Sequence, residues 1–496
     1  MVSLQQEKSI NPSNAQILPG LGGHQSDTLK LQSWRWVLRN VILPLGDLAF
    51  GQRMTKRLRF LEQAQWWSLE RLHDHRDCLL RSVVDIAYGE VSFYRALMQD
   101  AGVKPNDIRC PADLSKLPVV TKQMLSAGYP DSTTRATGQK NYEVFTSGST
   151  GTNFCVREDA ETAGWYRASF LLALEWTNWT IGEPHLQTGM TTERSLEKRL
   201  KDALLQCYYV SAFDLSDAHL DKALDLLDRQ GIRYLWGYPG SIYYLARHAA
   251  KKGFNRSLRS IVTWGDNLYP HYRQTIETAF KTKVFDTYGC AEGMHIAAQC
   301  GQENTYHIHT PDVIVEFLDN EGATVRPGQS GNIVLTRLHP GPMPLIRYRV
   351  GDVGIAGNGR RCPCGRGYDV MESIQGRDTD VVITGSGNRL IVHFFTGIFE
   401  HFSEVDCFQV IQESIDSMMI RIVATREFSP ESPGRIVSAL KEKGATGIHI
   451  EIELVDKIPL TVGGKRRFVI SKIASSHDQD VSFSAEERAS SAARAD

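Results

Sequence analysis

Apolar positions recur every three or four residues over the first part of the chain, a spacing typical of amphipathic helices. The pattern predicts helices from Leu31 to Ala101, with Gly102 as a C-cap residue. The polar residues 1–30 and the Ser/Ala/Asp/Glu-rich residues 475–496 lack this pattern, so we expect both segments to be disordered.

Short apolar runs alternate with helical patterns from Tyr142 onward. The predicted strands cover 142–145, 233–236, 260–264 and 283–287, and the predicted helices cover 160–176, 216–230, 241–252 and 269–280. This alternation predicts a parallel sheet with crossover helices, in which ligands gather at the carboxyl ends of the strands.

The character of the chain changes beyond Asp312, where short strands with Gly/Pro turns predict a β subdomain beside the sheet. A junction at Gly376–Asp380 precedes strands and one helix that suffice for a small α+β domain. The predicted fold class is therefore α/β. A large domain spans 31–376, with its β subdomain from about 312, and a small mobile C-terminal domain spans 377–474.

Charge and composition exclude several classes of protein. Lys and Arg total 56 against 57 Asp and Glu, so the net charge of −1 gives no reason to expect a nucleic-acid partner. Nine cysteines are too few for a disulfide scaffold and favour a reducing, cytoplasmic location. The apolar segment Val41–Phe50 contains Pro44 and Asp47 and is too short to span a bilayer, so no integral membrane segment is expected. For this segment, Trp34 and Trp36, core packing is favoured over a peripheral membrane contact.

A glycine- and hydroxyl-rich turn follows the predicted strand at Tyr142. Its residues are Thr146, Ser147, Gly148, Ser149, Thr150, Gly151 and Thr152. Glycines allow successive N–H groups to point into one concavity, and hydroxyls donate to anionic oxygen, so the turn favours binding of nucleotide phosphates. It is not a Walker A loop, because no Gly-Lys-Ser/Thr follows at the required spacing. A flexible linker is the alternative.

Four later motifs place charged groups on glycine turns. Glu292, after Tyr288-Gly289, suits a magnesium ion, and Asp352 suits the hydroxyls of a ribose. Arg377 is a candidate to bind ribose or phosphate, and Lys465 is a candidate to stabilise the charge that develops on an α-phosphate. Taken singly, each has an ordinary alternative as a helix cap or a solvated turn residue.

The order of these motifs resembles the adenylate-forming superfamily of acyl-CoA synthetases and adenylation domains. More narrowly, it resembles the phenylacetate–CoA ligase branch, including relatives found with capsular polysaccharide genes, over roughly Leu61 to Ser471. The resemblance implies that Thr146–Thr152 bind the β- and γ-phosphates and that Gly265-Asp266-Asn267 lies beside the adenine. It assigns Tyr288 and Gly289 to adenine and substrate, Glu292 to Mg²⁺, Asp352 and Arg377 to the ribose, and Lys465 to adenylation. The small domain of the family also rotates between two half-reactions.

Three positions depart from the family pattern. The loop ends Gly151-Thr152-Asn153 where Gly-Lys is common, Gly265-Asp266 replaces a usual Gly-Ala or Gly-Glu, and Thr379 occupies the usual position of a hinge acid. The expected activity is ATP-dependent formation of an acyl-adenylate with release of pyrophosphate, followed by acyl transfer to CoA. Thr146, Glu292 and Lys465 are the expected catalytic residues. The alternatives are a CoA-independent enzyme that forms amides or esters, and a non-catalytic nucleotide-binding scaffold for surface-polysaccharide assembly.

Two further groups complete the predictions. Trp236, Tyr238, Trp264 and Tyr288 lie at strand ends, where their flat faces suit an aromatic acid, although core packing explains Trp236 and Trp264 equally well. Cys300, His307, Cys362 and Cys364 form a candidate structural zinc site, with reduced thiols in a turn as the alternative. The expected partners are a carboxylic acid and an acyl acceptor, and a homodimer is also expected.

Overall fold

The computed structural model describes residues 32–146, 154–189, 194–212, 214–377, 381–385, 389–399, 401–459 and 467–473. The predictions for both chain ends, Ser147–Thr152, Thr379 and Lys465 fall outside these residues. For Thr146, the backbone is described but the side chain is not.

The predicted helical region is confirmed as a series of separate helices. Helix α1 covers 32–50 with a π-helical turn at Leu38–Ile42, and three more follow: α2 (Met54–Ala64), α3 (Leu69–Glu90) and α4 (Ser92–Asp100). Gly51 ends α1 in a left-handed conformation, with φ of 67°. The hydroxyl of Ser68 accepts a hydrogen bond from the backbone N–H of Arg71 and caps α3. Gly102 follows α4 with φ of 66°, as expected for a residue that ends a helix.

Two short 3₁₀ turns at Pro105–Asp107 and Pro111–Lys116 lead to helix α5 (Lys122–Ala127). The next elements form a hairpin of β1 (Tyr142–Thr146) and β2 (Phe154–Glu158), in which Thr146 pairs with Phe154. The predicted strand–loop–helix unit is therefore wrong in one respect. The loop joins two antiparallel strands, and helix α6 (Ala160–Glu175) begins only after the second strand.

Eleven strands form one continuous mixed sheet. Its spatial order is β10-β11-β12-β13-β9-β8-β7-β6-β5-β3-β4. In chain order the strands are β3 (His185–Gly189), β4 (Cys207–Ser211), β5 (Tyr234–Gly237), β6 (Ser260–Thr263), β7 (Val284–Cys290), β8 (Met294–Gln299), β9 (Tyr306–Ile308), β10 (Val313–Leu318), β11 (Ser330–Arg337), β12 (Tyr348–Ala356) and β13 (Val370–Arg377). The intervening helices are α7 (Leu196–Leu204), α8 (Asp217–Arg229), α9 (Pro239–Lys251) and α10 (Pro270–Phe280).

The sheet changes character at β7. Strands β4, β3, β5, β6 and β7 pair in parallel, as predicted, whereas β7 pairs antiparallel with β8. The predicted β subdomain is therefore a continuation of the parallel sheet, because a tight turn after β7 folds β8 back along it. Gly293 permits this turn, since its φ of 76° suits glycine. The α/β fold class is confirmed.

The C-terminal elements form a separate sheet of order β18-β17-β16-β19 and a two-stranded ribbon. They are β14 (Val381–Ile383), β15 (Arg389–Ile391), α11 (Val392–Phe399), β16 (Val405–Ser414), β17 (Ser417–Ala424), α12 (Ser432–Lys443), β18 (His449–Leu454) and β19 (Val469–Ser471). This sheet packs on α9 and on the start of α10. The rings of Tyr269 and Phe468 lie 5.0 Å apart, and Arg247 contacts Asp406 at 2.6 Å.

The first helix differs from its prediction. Leu38 is fully buried, but Trp36 is 63% exposed and Leu48 is 82% exposed, so the expectation that this segment packs into the core is wrong for its outer side. Within the described residues, no helix has the length and apolar character needed to cross a bilayer. All nine cysteines lie among the described residues, and none forms a disulfide.

Candidate active site

The end of strand β7 carries the first group of predicted site residues. The Tyr288 hydroxyl donates a hydrogen bond of 2.7 Å to Asp352, and Arg377 Nε lies 3.0 Å from the other oxygen of the same carboxylate. Asp352 and Arg377 are direct partners on neighbouring strands β12 and β13. Burial raises the pKa of Tyr288 well above its ordinary value, so the phenol stays protonated and remains a donor.

The segment Gly265-Asp266-Asn267 meets this group from the end of β6. A Cβ atom added at Gly376 would lie 2.8 Å from the side-chain nitrogen of Asn267, so the two segments touch. A Cβ atom at Gly265 would lie equally close, 2.8 Å, to the ring of Tyr238. The structure therefore brings together the residues predicted to surround a nucleoside.

Glu292 lies beside the two ends of the predicted phosphate loop. Its side chain is buried, and its Oε1 accepts a hydrogen bond of 2.6 Å from the Tyr348 hydroxyl. The Tyr348 ring stacks on Phe154 with centroids 5.9 Å apart, and Phe154 is the first described residue after the loop. Because Thr146 pairs with Phe154, both ends of the loop emerge next to Glu292.

Lys122 is a site residue that the sequence analysis missed. Its Nζ lies 3.4 Å from Glu292 Oε1, and the side chain is 31% exposed. It occupies the first turn of α5, which begins after Thr121 accepts a hydrogen bond from the Met124 N–H. A single lysine at the start of a short helix carries no motif, so only the fold reveals its place.

Arg337 makes several buried hydrogen bonds next to strand β2. Its guanidinium donates to Glu158 at 2.6 Å, to the backbone carbonyl of Glu292 at 3.3 Å and to that of Met343 at 2.6 Å. The side chains of Arg337 and Glu158 are 3% and 2% exposed. Burial by itself lowers the pKa of Arg337, but the Glu158 carboxylate outweighs it and leaves a net rise, so the guanidinium stays charged.

The aromatic residues proposed for an acyl pocket separate into two groups. Trp236 is 5% exposed and stacks on His185 at 3.8 Å, which agrees with the core-packing alternative. Tyr238 and Trp264 remain partly exposed at the strand ends, and the Trp264 ring meets Phe170 at 5.5 Å. Both residues are therefore placed where a ligand could touch them.

The sequence analysis also missed His295, which packs against Phe170 on the side of the aromatic group that includes Trp264. Its ring meets Phe170 at 5.3 Å, and its Nδ1 lies 3.0 Å from Nε2 of His309. Burial lowers the pKa of His295 to about 3, so its ring is neutral. Its Nε2 is buried and has no hydrogen-bond partner among the described residues. A Cβ atom at Gly289 would lie 3.8 Å from the neighbouring ring carbon Cδ2, so this edge of the ring lies next to the exposed Gly289.

The predicted Cys/His cluster comes together away from this site. The ligand atoms of Cys300, His307, Cys362 and Cys364 all lie within 4.8 Å of one another. The Cys300 and Cys362 sulfurs are 3.4 Å apart, as are the Cys364 sulfur and His307 Nε2. Hydrogen bonds from Cys300 and then from His307 lower the pKa of Cys364 to about 2, which favours a thiolate there. One nitrogen and three sulfur donors form a set that suits Zn²⁺.

Lys465 lies outside the described residues. Phe468, three residues further along the chain, contacts Tyr269, which is two residues after Asn267.

Two family models match separate parts of the chain. Residues 205–340 match the model described as AMP-binding enzyme, and residues 382–472 match the CapK C-terminal domain. The first region holds strands β4 to β11, and the second holds the C-terminal sheet. The matched AMP-binding region contains Glu292 and the Gly265–Asn267 segment, in agreement with the predicted resemblance to adenylate-forming ligases.

Similar curated proteins narrow this class. The phenylacetate–coenzyme A ligase of Thermus thermophilus is 22% identical over 437 residues, which cover 81% of this chain and 96% of that protein. Protein CapK of Staphylococcus aureus is 24% identical over 268 residues, or 53% of this chain and 58% of that protein. These matches support the predicted resemblance to the adenylate-forming superfamily and to its phenylacetate–CoA ligase-like branch.

The fold is also that of a solved enzyme. A crystal structure of 2-hydroxyisobutyryl-CoA ligase in the postadenylation state matches with a TM-score of 0.67 and 18% identity, over 86% of this chain and 94% of that one. The same enzyme in its thioesterification state matches with a TM-score of 0.55 over 85% of this chain.

The buried Arg337–Glu158 pair yields a stability prediction. Glu158→Gln leaves the guanidinium charged without its carboxylate, so we expect the free energy of unfolding to fall by about 3 to 5 kcal/mol in denaturant titration. The control is Asp225→Asn in the exposed pair with Arg229, whose side chains are 59% and 75% exposed. That change should cost less than about 1 kcal/mol. Equal losses in the two variants would contradict the special role of the buried pair.

Proposed function

We propose that the protein activates a carboxylic acid with ATP and transfers the acyl group to CoA. The observation that carries this proposal is the position of Glu292. It lies beside both ends of the predicted phosphate loop and four residues after Tyr288, which contacts Asp352. In the first step a carboxylate oxygen attacks the α-phosphorus, the bond to the bridging β-oxygen breaks and pyrophosphate leaves. In the second step the CoA sulfur attacks the acyl carbon, AMP leaves and the thiol proton passes to solvent.

The nucleoside is proposed to lie against Tyr288 and the Gly265–Asn267 segment. A carboxylate has about four acceptor positions. Tyr288 and Arg377 each contact Asp352, so acceptor capacity remains for the two ribose hydroxyls. Thr146–Thr152 are proposed to bind the outer phosphates, and a Mg²⁺ held by Glu292 would offset their charge.

Lys122 is proposed to replace the lysine that the phosphate loop lacks. Its ammonium group is within 4 Å of Glu292 and close to where the loop emerges. A cation there attracts the outer phosphates in the ground state as well as in the transition state, so its effect should fall mainly on ATP binding. Lys465, delivered by the small domain, is proposed to stabilise charge at the α-phosphorus during attack.

The assignment of Lys465 gives the main activity prediction. Across a panel of carboxylic acids, the purified protein should release pyrophosphate only when ATP and a suitable acid are both present. Lys465→Ala should lower this rate by about 10²- to 10³-fold, as for the loss of one transition-state contact. Lys457→Ala, at an exposed lysine of the same domain, should leave the rate unchanged. Equal rates for Lys465→Ala and the unmodified protein would remove Lys465 from the mechanism.

Two further measurements separate the remaining roles. Lys122→Ala should raise KM for ATP more than it lowers kcat. Thioester formation that depends on CoA would support the proposed acceptor, whereas adenylate formation with transfer only to amines or alcohols would support the CoA-independent alternative. Absence of pyrophosphate release with every acid would remove the enzyme proposal itself.

The acyl group is proposed to be aromatic and to carry a hydroxyl on its ring. Tyr238, Trp264 and Phe170 offer flat surfaces, and the unpartnered Nε2 of His295 lies at their edge. A neutral imidazole nitrogen is a donor in one tautomer and an acceptor in the other, and a hydroxyl can pair with either. An unsubstituted ring would leave this buried nitrogen unpaired, which is costly.

The His295 proposal is tested with matched acids. The kcat/KM for ring-hydroxylated phenylacetates should exceed that for phenylacetate by at least tenfold at the preferred ring position. His295→Phe should abolish or reverse this preference. The ratio of two substrates on the same variant is unaffected by a loss of folded protein, so it isolates the contact. An unchanged ratio in His295→Phe would contradict the proposal and leave the adenylation chemistry untouched.

The Cys300–His307–Cys362–Cys364 cluster is proposed to hold a structural zinc ion. It would join the end of β8 and strand β9 to the turn that contains Cys362, two segments more than fifty residues apart. We expect metal analysis of the purified chain to find about one zinc per chain. Cys364→Ser should lose the metal and lower the melting temperature, whereas Cys78→Ser, at an exposed cysteine, should do neither. A folded chain without zinc would end this proposal.

A further inference from the structure

Helix α1 presents an apolar surface to solvent. The exposed fractions of its large apolar residues are Trp36 63%, Val41 40%, Leu45 60%, Leu48 82% and Phe50 66%. We call Trp36, Val41, Leu45 and Leu48 the α1 apolar face, and Phe50 is exposed at the C-terminal end of the same helix. Single exposed apolar residues are ordinary on soluble proteins, but five large ones on one helix are unusual and indicate a surface that binds something.

The opposite side of α1 is fixed to the protein. Leu38 is fully buried, Arg35 pairs with Glu183 at 2.8 Å, and the Trp34 indole donates to the Leu204 carbonyl at 3.3 Å. The helix therefore has a defined inner side and a defined outer side. The exposed apolar residues of α1 therefore belong to a helix that is fixed to the rest of the protein.

The π-helical turn aligns the outer residues. Trp36, Val41, Leu45 and Leu48 are separated by five, four and three positions. A regular α-helix would rotate Val41 away from Trp36, since residues five apart differ by about 140°. The turn at Leu38–Ile42 adds close to one residue to a single helical turn, and this brings Val41 and the later residues back to the side of Trp36.

Positive charge flanks the apolar face. Residues 32–62 contain six Lys and Arg against two Asp and Glu. Three of these cations pair with glutamates further along the chain, so the exposed positive charge comes from Arg53, Lys56 and Arg59. Helix α2 buries Met54, Leu58 and Leu61. Its other side carries the exposed residues Arg53, Lys56 and Arg59, which follow directly after Phe50.

We propose that the α1 apolar face docks on an anionic lipid bilayer, with α1 lying in the interface. Trp36 and Phe50 would sit at the headgroup level with Leu45 and Leu48 in the acyl boundary, and the basic side of α2 would meet the lipid phosphates. A large apolar surface bordered by Lys and Arg is the pattern of interfacial helices, and it favours this occupant over a neutral protein groove. The proposal is independent of the reaction chemistry.

Vesicle co-sedimentation of the purified full-length protein tests this proposal. The protein should bind vesicles of phosphatidylcholine with 30% phosphatidylglycerol, and at least tenfold more weakly vesicles of phosphatidylcholine alone. Binding should weaken between 0.1 and 0.5 M salt, because the charge contribution is screened. The double variant Leu48→Asp, Phe50→Asp should lose at least tenfold in vesicle affinity.

The matched control is Leu454→Asp on strand β18, where an exposed leucine (57%) lies far along the chain from α1. It should bind vesicles as the unmodified protein does, and circular dichroism of both variants checks their folding. Failure to bind anionic vesicles, or equal binding by the double variant, would overturn the proposal. A dimer that the double variant dissociates, without vesicle binding, would assign the face to a second copy of the chain instead.

Discussion

The active-site region depends on one buried guanidinium. Arg337 lies at the end of β11, and it holds Glu158 at the base of the loop hairpin together with the backbone of Glu292. Taking two charges out of water is costly, and the cost is offset by close partners and further hydrogen bonds. Both terminal nitrogens of Arg337 have such partners, whereas its buried Nε has none among the described residues. A Cβ atom on Gly293 would lie 2.7 Å from the Glu158 carboxylate, so the glycine after Glu292 is also what lets the pair close. Strand β2 of the hairpin and the backbone of Glu292 are thus held by the same guanidinium.

The sheet explains why these groups meet where they do. Parallel strands β5, β6 and β7 place Tyr238, Gly265 and Tyr288 along one edge, as the general rule for such sheets requires. The reversal after β7 then brings antiparallel strands alongside, so that Asp352 on β12 and Arg377 on β13 reach the same edge. The parallel half of the sheet carries the first three of these residues, and the antiparallel half carries Asp352 and Arg377. The reversal after β7 therefore brings the two sets of residues together.

The sequence predicted what is local and missed what depends on distant pairing. Alternating apolar runs and glycine turns located strands β5 to β7 and the motifs at Glu292, Asp352 and Arg377, because each signal lies within a few neighbouring residues. Strands β3 and β4 were missed, since their short runs contain His185, Gln187 and two tyrosines and lack an apolar alternation. Lys122 and His295 could not be found for another reason. Lys122 contacts Glu292, which lies 170 residues further along the chain, and His295 packs against Phe170, which lies 125 residues earlier.

The placement of cations follows from the missing loop lysine. A loop of hydroxyls and N–H groups binds phosphate oxygens but adds no formal charge, so the charge of a nucleotide must be met by side chains from elsewhere. Lys122 approaches from helix α5, on the large domain, and stays close to Glu292 whether or not the small domain moves. Lys465 belongs by sequence to the small domain, three residues before Phe468. Under the proposed roles, one cation therefore belongs to the large domain and the other to the small domain. We then expect the nucleotide to bind before the small domain closes, and the charge at the α-phosphorus to arrive on closure.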